Sequence, residues 1–159
     1  MNTTAEARIE ADPTVPIIHI YREFSATPAQ LIRAHTDPEI FVRWVGPNGS
    51  NIEVDYWDAR TGGSWRYGGK SDGVEYSFRG CFHEVRENEL IVQTFTFEGM
   101  PDGVALEKLV LEDLGNGRTR LTSTSLVDSF ADRDAFVASG MEVGVREGYE
   151  RLDEVLAGD

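Results

Sequence analysis

The pattern that most restricts this chain is a change in hydrophobic period. From Ile52 to Leu126 apolar residues recur at every second position in short runs, each closed by a turn-forming cluster. From Asp132 onward they recur at every third or fourth position. Val74, Tyr76, Phe78, Gly80 and Phe82 share one face of the longest run, Val74 to Val85. Gly62-Gly63, Asn88-Glu89 and Pro101-Asp102-Gly103 mark turns, and Gly115-Asn116-Gly117 is a hairpin signal ahead of Thr119 to Leu126. Turns this short join antiparallel neighbours, so Ile52–Trp57, Trp65–Tyr67, Val74–Val85, Leu90–Phe97, Val104–Leu114 and Thr119–Leu126 predict a meander. Beyond it, Phe136, Val137, Met141, Val145, Tyr149, Leu152, Val155 and Leu156 form one stripe. That stripe predicts a single amphipathic helix of about seven turns.

The N-terminal third completes the order of elements. Residues 1–15 are polar and aperiodic and are expected to be a mobile tail, with one domain over residues 16–159. Ile17 to Phe24 reads as a strand, with Ile18, Ile20 and Phe24 on one face and Arg22 interrupting it. Thr27 is placed to cap a short helix that Pro28 opens, and Asp37-Pro38 starts a second through Phe41 and Trp44. The order predicts an α+β fold: a curved antiparallel sheet wrapped around a long C-terminal helix, with two short helices after the first strand.

Charge narrows the function classes. Fifteen Lys and Arg stand against 28 Asp and Glu, a net charge of −13. Phosphate backbones and anionic lipid surfaces are bound by clustered Lys and Arg, so neither nucleic acid nor membrane is expected as a partner. A lone cysteine, Cys81, and an N-terminus without a basic start or apolar stretch predict a cytoplasmic protein. Cys81 itself reads as a buried structural thiol.

Two features point to an internal site. Gly140, Gly144 and Gly148 recur at intervals of four in the terminal stripe, where each glycine costs about 1 kcal/mol relative to alanine. They serve either close packing and a bend near Gly140, or the bare wall of a cavity. Opposite them, Trp65, Tyr67, Tyr76, Phe78, Phe82, Phe95 and Phe97 supply more ring surface than a small core needs. Trp44, Met141, Val145 and Tyr149 complete the expected lining of an apolar pocket. Arg22, His35, Gln93 and Glu142 are the polar candidates for its interior. A carboxylate or imidazole held there would have a shifted pKa and could move protons. His19, His35 and His83 lack paired Cys/His spacing, so no metal and no cofactor is expected. The partners expected are a small apolar molecule and, as an assembly, a homodimer.

Several segments resemble one family. Phe24-Ser25-Ala26, Ala34 to Glu39, Trp44-Val45-Gly46-Pro47 and Asp58 to Tyr67 are similar in order and spacing to the activator of Hsp90 ATPase homologue-like proteins of the START/Bet v 1-like superfamily. Phe78 to Val85, Gln93-Thr94-Phe95, Gly117 to Thr122, Ser139 to Glu142 and Arg151 to Leu156 continue the likeness, which spans about residues 17 to 157. His35 stands where the family usually has an aromatic, Val45 replaces a common tryptophan, and the expected proline after Ala26 is displaced to Pro28. The resemblance implies the helix-grip fold and a cavity that commonly holds an apolar small molecule. It also implies two further roles to weigh: acid–base catalysis on a polyketide-like substrate, as in aromatase/cyclase relatives, and regulation of Hsp90.

Overall fold

The computed structural model of the chain describes residues 6–158. Eight strands form one antiparallel sheet: β1 (Arg8–Ala11), β2 (Ile17–Phe24), β3 (Glu53–Trp57), β4 (Ser64–Ser71), β5 (Val74–Arg86), β6 (Leu90–Phe97), β7 (Ala105–Gly115) and β8 (Arg118–Leu126). Their spatial order is β1-β2-β8-β7-β6-β5-β4-β3, so the meander from β3 to β8 is closed by β2 returning to pair with β8. Bulges at Val54/Tyr56, Phe82/Glu84 and Asp113/Gly115 add local bend and twist. The helices α1 (Pro28–Thr36) and α2 (Pro38–Phe41) follow β2, and α3 (Phe130–Ala138) and α4 (Met141–Ala157) end the chain. This is the expected helix-grip architecture.

The helix starts are those the sequence marks. Thr27 accepts from the Gln30 amide while Gln30 reaches back to the Thr27 amide, a reciprocal cap with Pro28 in the first turn. Asp37 caps α2 through the Glu39 amide. The core lies between the concave sheet and α4, where Phe24, Trp65, Phe82, Leu121 and Leu152 are almost fully buried. Phe24 meets Tyr149 of α4 edge to face at 5.2 Å.

Two expectations are corrected. The single long helix is two helices: Gly140, at φ 89°, lies in the left-handed region and separates α3 from α4. Hydrophobic period alone does not register such a break, because both helices present apolar residues at the same spacing. The segment expected as a tail is also structured where it is described, since Arg8–Ala11 pair with Tyr21–Ile18 as β1. Ala7 is buried and its carbonyl accepts from Arg146 of α4 at 2.6 Å. Arg133 of α3 donates to the Asp12 carbonyl at 2.7 Å. An edge strand held by backbone pairing and distant arginines needs no apolar alternation of its own.

Candidate functional site

The two short helices build one wall of a cavity between sheet and helix. Near the C-terminal end of α1, three carbonyls accept from aromatic N–H groups: Leu31 from His35 Nδ1 at 2.7 Å, Ala34 from Trp44 Nε1 at 3.0 Å and Thr36 from Trp57 Nε1 at 2.7 Å. The bonds to Ala34 and Thr36 satisfy carbonyls at the helix end, and the three bonds together fix three rings. Phe41 packs against Trp57 at 4.9 Å and Tyr67 at 5.1 Å, and Tyr67 stacks on Trp65 at 5.4 Å. Opposite, α4 contributes Gly144, Val145, Gly148 and Tyr149 to a cavity of about 240 Å³. A Cβ on Gly148 would lie 3.1 Å from the Trp44 carbonyl, so this glycine lets α4 approach the 44–46 loop. Arg151 and Glu147 clamp that loop. Arg151 donates to the Trp44 carbonyl at 2.9 Å and also meets the Gly46 carbonyl, and Glu147 accepts from the Asn48 side chain at 2.6 Å.

The floor is polar. Gln93 and Glu107 line it, and Ser125, just beyond the lining, stands abreast of them on β8, since Glu107 is the register partner of both neighbours. Ser125 Oγ donates to one carboxylate oxygen of Glu107 at 2.7 Å, and Gln93 Nε2 donates to the other at 3.1 Å. Burial raises the Glu107 pKa above the ordinary carboxylate value, while these two donated bonds oppose the rise. Burial also raises the phenols of Tyr67 and Tyr149, and the nearby Glu107 carboxylate adds to both shifts. Burial pulls His35 down to about 4, against the bond to the Leu31 carbonyl, so at neutral pH its ring is uncharged. Because a carbonyl only accepts, the His35 proton sits on Nδ1 and Nε2 is left unprotonated.

Comparison with known proteins agrees with the architecture. Residues 25–157 match the family model described as activator of Hsp90 ATPase homolog 1-like protein. This chain belongs to that family. A solved structure from Arthrobacter aurescens, 26% identical, superposes with a TM-score of 0.85 over 96% of this chain and 92% of the other. One from Chromobacterium violaceum, 25% identical, gives 0.78 over 90% and 99%. A third, from Mycobacterium smegmatis, shares the fold at 20% identity, with a TM-score of 0.86 over 96% and 97%. Among curated proteins, none matches the chain.

In this member of the activator-homologue family, the residues expected at the site divide into two groups. Trp44, Trp65, Tyr67, Phe95, Gly144, Val145, Gly148, Tyr149, His35 and Gln93 line the cavity. The others do not. Phe78 packs behind the lining against Tyr67 and Phe95, at 5.4 and 5.1 Å. Phe82 is buried under Trp57 at 5.9 Å, and Phe97, at the end of β6, is 41% exposed. Tyr76 lies over Gly69 and borders a separate polar concavity with Arg66 and Lys70. A strongly curved sheet fans its inward rows, so β6 reaches the cavity through Ile91, Gln93 and Phe95 while the inward row of β5 packs behind the lining. Gly140 marks the helix break, with open space around it. Met141 packs at the edge of the core, and Glu142 occupies the first turn of α4. Arg22 is buried but turns to Asp153 of α4, with bonds of 2.7 and 2.6 Å. Cys81, expected inside, is exposed on the outer face of β5.

Glu107 escaped the sequence reading, as did Phe41, Trp57, Ile91, Leu109 and Ser123, which also line the cavity. In Ala-Leu-Glu-Lys-Leu-Val-Leu-Glu the outward positions Leu106 and Val110 are as apolar as the inward ones, so alternation hides which face Glu107 takes. The one available signal was its place opposite Gln93, itself flanked by apolar residues.

Proposed function

We propose that this protein binds a small, mainly apolar molecule in the cavity between the sheet and α4. The observation that carries the reading is a lining of aromatic rings on three sides with its polar side chains gathered mainly at one floor, Gln93, Glu107 and Ser123. At about 240 Å³ the space suits a compact molecule of one or two rings. Burying roughly 200 Å² of such a ligand at about 25 cal/mol per Å² yields ~5 kcal/mol before association costs, so tests belong at millimolar ligand. Indole, 1-naphthol and 2-phenylethanol should raise the melting temperature of the unmodified chain. Val145→Phe, which fills the cavity from α4, should abolish the shift. Unmoved melting with all three at saturation counts against the reading.

Glu107 favours a second reading, an acid–base enzyme of the aromatase/cyclase type. A carboxyl whose pKa burial raises can, in its protonated form, give its proton to a ketone oxygen of a bound polyketide-like substrate. In that case Glu107→Gln removes turnover of a model polyketide while leaving its binding intact. Regulation of Hsp90, the role in the family's name, is separated by an Hsp90 ATPase assay, in which ligand binding alone predicts unchanged turnover.

A further inference from the structure

We infer that the molecule held in this cavity carries a basic amine, and that Glu107 is its counter-ion. The inference rests on the ligand-binding reading above and adds the chemical class of the ligand. Its basis is an asymmetry in the cavity floor. Ser125 and Gln93 both spend donors on the Glu107 carboxylate, at 2.7 and 3.1 Å, one on each oxygen. Two donated bonds support the ionised form of a carboxyl, whereas burial opposes it. The arrangement lacks one element, a positive charge inside the cavity.

Among the described residues, no side chain on the lining supplies that charge. Lys108 touches the lining from the position next to Glu107, but successive strand residues project from opposite faces, and its side chain is exposed. His35 is neutral at physiological pH, and Tyr67 and Tyr149 are neutral phenols. Arg22, the buried cation on neighbouring β2, is engaged by Asp153 through two bonds. Much of the rest of the wall is ring surface, from Phe41, Trp44, Trp57, Trp65 and Phe95, and the face of an aromatic ring attracts a cation, more strongly when water is excluded. A net charge of −13 further raises the local concentration of cationic ligands. A carboxylate, a cage of rings and an acidic exterior converge on an ammonium group attached to a compact apolar body.

Binding then has a proton balance. Where Glu107 starts protonated, an arriving ammonium ion displaces its proton to solvent, leaving carboxylate and ammonium paired. A neutral alcohol of the same shape displaces none.

The test uses matched pairs on the unmodified chain: 2-phenylethylamine against 2-phenylethanol, and tryptamine against tryptophol. Calorimetry at pH 6 in two buffers of different ionisation enthalpy measures affinity and proton release together. The expected result is at least tenfold tighter binding of each amine, with proton release for the amines alone. Glu107→Gln should erase both the preference and the release while still binding the alcohols. If the alcohols bind as tightly as the amines, or the preference persists in Glu107→Gln, the amine assignment is overturned and the ligand-binding reading survives. If no compound of either pair binds, both fall. The matched-pair comparison requires no variant, so it decides the matter even if Glu107→Gln fails to fold.

Discussion

Two charged groups face inward from the same sheet, and they are treated differently. Arg22 on β2 is buried, with a bidentate partner in Asp153 and its guanidinium 4.5 Å from the Phe24 ring centre. Among the described residues, Glu107 on β7 has two donors, both neutral, Ser125 and Gln93. The first pair joins sheet to helix and leaves nothing for a ligand. The second group is solvated by hydroxyl and amide but not neutralised, at the edge of a space large enough for a small molecule. A buried charge that has its partner is architecture, and a buried carboxyl without one is where the proposed ligand would dock.

The sharpest way to break this contrast is to remove Asp153. Asp153→Ala strands a buried guanidinium whose Nε already has no acceptor, and should cost about 3 kcal/mol in urea unfolding. A loss below about 1 kcal/mol would mean that the pair does not tie sheet to helix. Next in size is the acid limb of the stability curve. The folded state holds His35 at about 4 and the unfolded state near 6.5, so its contribution is present above pH 6.5 and is lost as the pH falls towards 4. His35→Phe should flatten that limb by roughly 2–3 kcal/mol between those limits. A limb of unchanged slope would show that His35 protonates freely in the folded protein.

Glu107→Gln should move stability at pH 5 by less than about 1 kcal/mol, because the amide oxygen can accept from Gln93 while the Ser125 hydroxyl turns to accept from the amide N–H. Its pH dependence has the opposite sense to that of His35. A carboxyl raised above 4.5 contributes fully below that value, and the contribution is lost as the pH rises through the folded pKa. The stability of the variant relative to the parent should therefore climb as the pH rises, and a gap that stays flat from pH 4 to 8 would show that Glu107 is not perturbed. The smallest effect is expected at Tyr76. Tyr76→Phe should leave melting within about 0.5 kcal/mol and indole binding unaltered, because that phenol lies outside the cavity. Weakened binding would return Tyr76 to the site.

Much of the cavity wall was legible in the sequence because it follows from local pattern. Trp65 and Tyr67 fall on the inward row of β4, and Gly144, Val145, Gly148 and Tyr149 fall on the stripe of α4. Phe78, Phe82 and Phe97 also occupy inward rows, yet curvature turns them into the core or out to solvent, and alternation does not encode curvature. Glu142 shows a related limit on a helix: it lies in the first turn of α4, away from the cavity lining.

The sequence by itself determined β2 to β8, the two short helices and their order, because periods of two and of three to four, turn glycines and helix caps act over a few residues. It did not determine β1 or the break between α3 and α4, and the helix-grip class came from the family resemblance. The tertiary structure alone decided where the charges meet. Glu107 comes to lie between Gln93 and Ser125, and Arg22 reaches Asp153 across 131 residues of chain, through strand register and helix docking. Those are long-range geometric outcomes that no window of neighbouring residues contains, and they separate a structural ion pair from a carboxylate still in need of one.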